Sequence, residues 1–273
     1  MKIFATVLFI IGLVLCASSK ETNYTASTPA GIMVREFLGL SLTDSIDFIR
    51  WKLSLSDIKY SLECNYGIGK PNTNGFYDGG KKVSFSGIVK KENNVYTLTN
   101  GNKSLKFAEL NLNLLHLLNN DNTLVVGNGG WSYVLNSLTP TATSKFNMMS
   151  KPMILKDSIA FEGRTPCGIP NIIEPGKECY KLKWYLVLYS KKNEPSAYRL
   201  LGTPYRREEG GRRGNWKITN GKDGRIVYQL SDEKEKPFIY LLKLDDGVLM
   251  FTDAKGNLLV GDHDFSYTLN RRF

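Results

Sequence analysis

Residues 127–136 read GNGGWSYVLN and residues 261–270 read GDHDFSYTLN. Each stretch opens on Gly, reaches an aromatic-Ser-Tyr run four residues later and ends Leu-Asn, and the two lie 134 residues apart. Self-similarity at a fixed spacing is the mark of a repeated folding unit. In an extended chain, side chains alternate, so Trp131, Tyr133 and Leu135 fall on one face and Ser132, Val134 and Asn136 on the other. Phe265, Tyr267 and Leu269 repeat that pattern against Ser266, Thr268 and Asn270. Each stretch is expected to be the closing strand of a unit, entered from a Gly/Asn/Asp turn and facing a core of its own.

The same offset aligns 107–136 with 241–270 without a gap, pairing Leu115 with Leu249, Leu124 with Leu258 and Val126 with Val260. With small changes of offset, Ile49-Arg50-Trp51 meets Leu182-Lys183-Trp184, Val95-Tyr96 meets Val227-Tyr228, and Thr28-Pro29-Ala30-Gly31-Ile32 meets Thr165-Pro166-Cys167-Gly168-Ile169. The expected organisation is a first copy over 28–136, a Thr/Pro/Ser-rich linker over 137–157 and a second copy over 158–273. Asp245-Asp246-Gly247 marks a tight hairpin turn. By correspondence Asn111-Leu112-Asn113 turns and Leu114–Leu118 is a strand, with an amphipathic helix there as the alternative. For the second copy, strands are expected near 181–189, 196–202, 214–219, 225–230, 236–244, 247–252, 257–261 and 264–270. Short sequential strands with one apolar face are satisfied by closing the sheet on itself. The prediction is an all-β chain of two tandem small antiparallel meander barrels, lipocalin-like, of about eight strands each. Tyr185, Val187 and Tyr189 make the outer face of one second-copy strand apolar, which predicts packing against the other copy or the linker, or a partner patch.

Residues 1–19 carry Lys2, an apolar run from Ile3 to about Cys16 and then Ala17-Ser18-Ser19, the pattern of a secretory signal too short to span a membrane. Cleavage after Ser18 or Ser19 is expected; a lipid on Cys16, and membrane association through it, is the alternative, against which Leu15 argues. The formal net charge of +10 favours anionic surfaces such as headgroups or glycans. Export makes nucleic acid an unexpected partner.

Chemistry-bearing residues are few. Cys167 and Cys179 are expected to pair as a disulfide, with a soft-metal site as the alternative; Cys64 is left over and reads as a small buried hydrophobe. The chain has two histidines, His116 and His263, and the Asp262-His263-Asp264 donor cluster reads as a polar turn. No HExxH, GxSxG or EF-hand pattern occurs, and YGIGKPNT at 66–73 lacks the first Gly and the Ser/Thr of a phosphate loop. Arg206, Arg207, Arg212 and Arg213 ring a Gly-containing hairpin tip that could clamp an anion or a partner.

FEGRTPCGIPNII, a strand ending LVLY, GNWKI, IVYQL, LLKLDDGVLMFTDAKGN and the terminal FSYTLN together resemble the N-terminal domain of NlpE-type copper-resistance lipoproteins. The first copy matches through TPAGI and WSYVLN. The resemblance implies a lipocalin-like barrel in an envelope protein linked to copper tolerance, adhesion and stress signalling. The family's Cys-x-x-Cys is here Cys167-Gly168-Ile169-Pro170, so only Cys167 carries over. The expectation is a non-enzymatic, exported double barrel, periplasmic, outer-membrane-associated or extracellular, that binds or senses in the envelope. The alternatives are a carrier of a small apolar ligand inside one barrel and a Cys-based metal binder, copper being the metal the resemblance implies.

Overall fold

The computed structural model describes residues 21–142, 146–147, 156–173, 178–221 and 224–272. The expected leader with Cys16, and Met148, Met149 and Met153 of the expected linker, lie outside the described residues. Eight strands, β1 (Thr22–Thr28), β2 (Phe48–Leu55), β3 (Lys59–Gly67), β4 (Lys81–Glu92), β5 (Val95–Asn100), β6 (Lys103–Asn111), β7 (Leu114–Leu118) and β8 (Val134–Ser137), pair in chain order and close through β8 on β1. A second closed barrel follows with β9 (Ser158–Thr165), β10 (Leu182–Lys191), β11 (Glu194–Gly202), β12 (Arg212–Asn220), β13 (Ile226–Ser231), β14 (Pro237–Lys243), β15 (Val248–Thr252) and β16 (Thr268–Arg271). All pairings are antiparallel, the double meander expected. Asn111 and Leu114 bracket the tight turn inferred from the second copy, and Leu114–Leu118 is a strand.

Alternation decides which side chains fill each barrel. Trp51, Leu53 and Leu55 point inward while Lys52 is exposed, and Trp184, Leu186 and Leu188 do the same in the second copy. Trp51 meets the edge of Phe107 at 6.3 Å and Trp184 tilts on Phe251 at 5.1 Å. Each indole N–H donates to a threonine of the shared Thr-Pro motif at 2.8 Å, Trp51 to Thr28 and Trp184 to Thr165, so the buried donor is satisfied. The glycine of the same motif lets a tyrosine hydroxyl close in. A Cβ on Gly31 would stand 2.4 Å from the Tyr133 oxygen, and one on Gly168 2.5 Å from that of Tyr267.

One end of each barrel is plugged differently. In the first, α1 (Ile32–Leu38) buries Val34, Phe37 and Leu38 and ends at Gly39, whose φ of 68° is the left-handed cap a glycine supplies cheaply. In the second, the Cys167–Cys179 disulfide closes a loop that lays Ile169, Ile172 and Ile173 against the core. Cys64 is fully buried inside the first barrel, and burial pushes its thiol pKa up.

Several expectations are corrected. The strand near 257–261 is a single bridge, Leu258 to Thr252, and the eighth strand of that barrel is β9, which precedes the Thr-Pro motif. Likewise the first barrel begins at Thr22 rather than 28, and β8 runs through Ser137, the first residue assigned to the linker. Pairing begins only at Val134 and Thr268, so Trp131 and Phe265 sit in turns rather than strands. Nor do the barrels pack through β10: Tyr185 and Val187 are half-buried and Tyr189 is exposed.

The barrels meet instead through the outer faces of β6–β8 and β13–β15, where Ala108, Leu110, Leu114, Leu242, Val248 and Met250 belong to one buried apolar cluster. Along this seam the repeated motif shows its purpose. The Gly127 N–H donates to Asn270 Oδ1 at 2.7 Å, and the Gly261 N–H donates to Asn136 Oδ1 at 2.9 Å. Ser132 and Ser266 hydroxyls touch at 2.5 Å where the two copies cross. Asn128 Oδ1 accepts from the N–H groups of Gly130 and Trp131, as Asp262 Oδ1 does from those of Asp264 and Phe265, setting the same turn twice. Glycine is required at 127 because a Cβ would lie 2.2 Å from the Trp131 carbonyl. The contact is isologous, each copy offering the same patch to its twin, as across the two-fold axis of a dimer.

Candidate functional site

Both barrel interiors are occupied by their own side chains: Trp51, Phe107, Phe161, Tyr198 and Tyr228 are all below 2% exposed. Room for a ligand lies outside, in a groove of about 410 Å³ between the two barrels. The first barrel contributes Asp47, Phe48, Trp131 and the 69–74 loop, in which the Lys70 N–H donates to the Gly75 carbonyl and the Thr73 N–H to that of Lys70. The second contributes Arg164 from β9, Tyr180, Lys181 and Lys183 around the start of β10, and Asp264 with Phe265 from the closing turn.

An aromatic ladder runs along one wall. Phe76 stacks on Phe48 at 4.2 Å, Phe48 on Trp131 at 4.7 Å with planes 17° apart, and the Arg164 guanidinium lies over the Trp131 ring at 5.2 Å. Lys181 stands 5.4 Å over Tyr180 and 5.5 Å over Phe265. The ring attracts the guanidinium as a cation and holds it at the groove wall. Burial lowers the Arg164 pKa, opposed by Glu162. Burial, then the like charges of Arg164 and Lys183, lower that of Lys181, opposed by Asp264.

Each acid of the groove has a hydrogen-bond partner, and one of the two has an ion pair. Asp264 pairs with Arg50 at 2.7 Å and also accepts from Asn74, and Asp47 Oδ2 accepts the Gly69 N–H at 2.7 Å. Among the described residues, Lys70, Arg164, Lys181 and Lys183 have no ion-pair partner. Four uncompensated cations in a partly desolvated cleft make a site for carboxylate, phosphate or sulfate oxygens.

The residues singled out from sequence fall elsewhere or divide. Cys167 and Cys179 are joined to each other, so their sulfurs are not thiolates, and the donor set to which the resemblance points does not fit a soft copper ion. Asp262, His263 and Asp264 bring ligand atoms within 4.8 Å of one another, yet Asp262 Oδ1 is held by two backbone N–H groups and Asp264 by Arg50, which leaves the polar turn expected. Of the four arginines, Arg206 and Arg207 are exposed, with no ion-pair partner among the described residues. Arg212 is bound to Glu208 at 3.0 Å and covers Tyr205, and Arg213 shares a hollow with Asp232 and Glu233. The tip itself is a short 3-10 turn, Thr203–Tyr205, which buries Tyr205, followed by the exposed arginines.

Sequence reasoning missed Lys70, Arg164, Lys181 and Lys183 because they are scattered along the chain. The signal that finds three of them, Lys70 apart, is the difference between the copies: by the repeat alignment Arg164 replaces Ser27, Lys181 replaces Phe48 and Lys183 replaces Arg50. The first copy supplies the Phe48–Trp131 stack and Lys70, and the second the other three cations. Comparison with protein-family models, curated proteins and solved structures finds no match to this chain.

Proposed function

We propose that this protein is an exported, non-enzymatic binding protein of the cell envelope that holds an anionic ligand in the groove between its two barrels. The observation that carries this reading is the convergence of Lys70, Arg164, Lys181 and Lys183 from both barrels on a cleft whose carboxylates each have a hydrogen-bond partner. The leader-like residues 1–19, the Cys167–Cys179 disulfide and the resemblance to envelope lipoproteins support export. Binding without catalysis is the reading supported by the histidines: His116 is fully buried in the seam, and the His263 ring, in an exposed turn, meets Asp264 at 3.2 Å.

The test is calorimetric titration of the purified protein with citrate. Wild-type protein binds it, and Arg164→Gln weakens binding about tenfold or more, the worth of a charge-assisted fork. Equal affinity in the two proteins, with the variant folded, refutes the site.

A further inference from the structure

The groove does not end at Lys183. That side chain also lines a second hollow, with Gly202, Thr203, Tyr205 and Arg206, and Thr203, Tyr205 and Arg206 in turn border a third that holds Arg207. Three depressions that share walls run from the 69–74 loop of the first barrel to the β11–β12 connection of the second. Six of the charges along them without an ion-pair partner among the described residues, Lys70, Arg164, Lys181, Lys183, Arg206 and Arg207, are positive, against one carboxylate, Asp47, which accepts the Gly69 N–H. Glu208 borders the far hollows but is bound to Arg212.

We infer that this track binds an extended polyanion, an acidic polysaccharide bearing carboxylate or sulfate groups, with one anionic residue of the chain in the Arg164 groove and later ones reaching Arg206 and Arg207. This rests on the groove being an anion site and names its ligand class. A small anion needs one cluster of cations; a succession of hollows crossing both barrels matches charge repeated along a chain. Single-stranded nucleic acid needs a run of open ring faces for stacking, whereas Phe48 and Phe265 are buried, Trp131 is packed by Phe48 and Arg164, and the one exposed ring of the groove, Tyr180, has Lys181 over it. A flat anionic membrane reaches the exposed Arg206 and Arg207 but not the half-buried Arg164 and Lys181 within the groove.

The test compares polygalacturonate with monomeric galacturonate, titrated calorimetrically into wild type, Arg164→Gln and the double variant Arg206→Gln/Arg207→Gln. The wild type binds the polymer more tightly than the monomer and loses affinity as salt rises. The double variant, altered only at exposed positions, binds polymer about five- to tenfold more weakly with monomer binding unchanged. Should the double variant bind polymer like wild type while Arg164→Gln weakens both probes, the track is overturned and the groove stands. Unchanged binding of both probes by Arg164→Gln overturns the groove and the track with it; Lys183→Gln, an exposed position, repeats this arm if Arg164→Gln does not fold. A single-stranded oligonucleotide of matched charge, or phosphatidylglycerol vesicles, binding more tightly than polygalacturonate also overturns it, whereas sulfated dextran binding where neutral dextran does not supports it.

Discussion

Replacing His116 with Met, the residue at the equivalent second-copy position 250, tests the seam between the barrels. His116 is fully buried, its Nδ1 donates to the Leu117 carbonyl at 2.8 Å, and its Nε2 has no hydrogen-bond partner. Burial holds its pKa down at about 4, against an ordinary 6.5, and the Leu117 contact only partly opposes this. The folded protein therefore binds this proton less tightly than the unfolded chain. Stability from this group is intact above pH 6.5 and is lost as pH falls towards and through 4. At about 1.4 kcal/mol per tenfold in proton affinity, the loss approaches about 3 kcal/mol. His116→Met removes that loss, and at pH 7 it also removes an unpaired buried acceptor, a gain of about 1 kcal/mol. The assay is urea unfolding of both proteins at pH 7, 6, 5 and 4. The stability difference between variant and wild type grows steadily with acidity, and carboxylates common to both cancel. A difference that stays constant from pH 7 to 4 refutes the burial argument.

Two further perturbations probe the repeat and its plugs. Asn270→Ala leaves the Gly127 N–H without its acceptor and costs about 1–2 kcal/mol of unfolding free energy; Gly127→Ala, whose Cβ meets a backbone carbonyl, costs on the order of 3 kcal/mol, and the double variant is less than additive because both break one contact. Equal and additive losses would contradict the latch. Replacing Cys167 and Cys179 together with Ser frees a loop of sequence separation 12 and costs about 3 kcal/mol in urea unfolding; an unchanged midpoint shows that Ile169, Ile172 and Ile173 hold the plug unaided.

The duplication and the closed eight-strand units were legible because alternation and turn residues are local signals that two copies read jointly. Asp245-Asp246-Gly247 settled the ambiguous leucines at 114–118, which suit either period by themselves. β9 escaped because its inward positions, Ile159, Phe161, Gly163 and Thr165, shrink towards the Thr-Pro motif, and a strand read by bulk is faint there. The stretch at 257–261 has strand residues but finds only one bridge, since Gly261 turns the chain to meet Asn136. α1 is seven residues long and derives its helicity from burying Val34, Phe37 and Leu38 on the barrel, a tertiary effect. The groove was illegible as a motif: its cations converge only once two barrels are docked.

That docking has a consequence for how the pair can diverge. Were the barrels separate identical molecules, every residue beside the crossing point would occur twice, and Arg164 could face Trp131 only if each subunit carried both. Joining the halves in one polypeptide releases that constraint, because Ser27 and Arg164, or Phe48 and Lys181, answer to different codons. The shared seam fixes the scaffold, while the cleft over it is free to become lopsided, with the stacked rings on one lip and three of its four cations on the other.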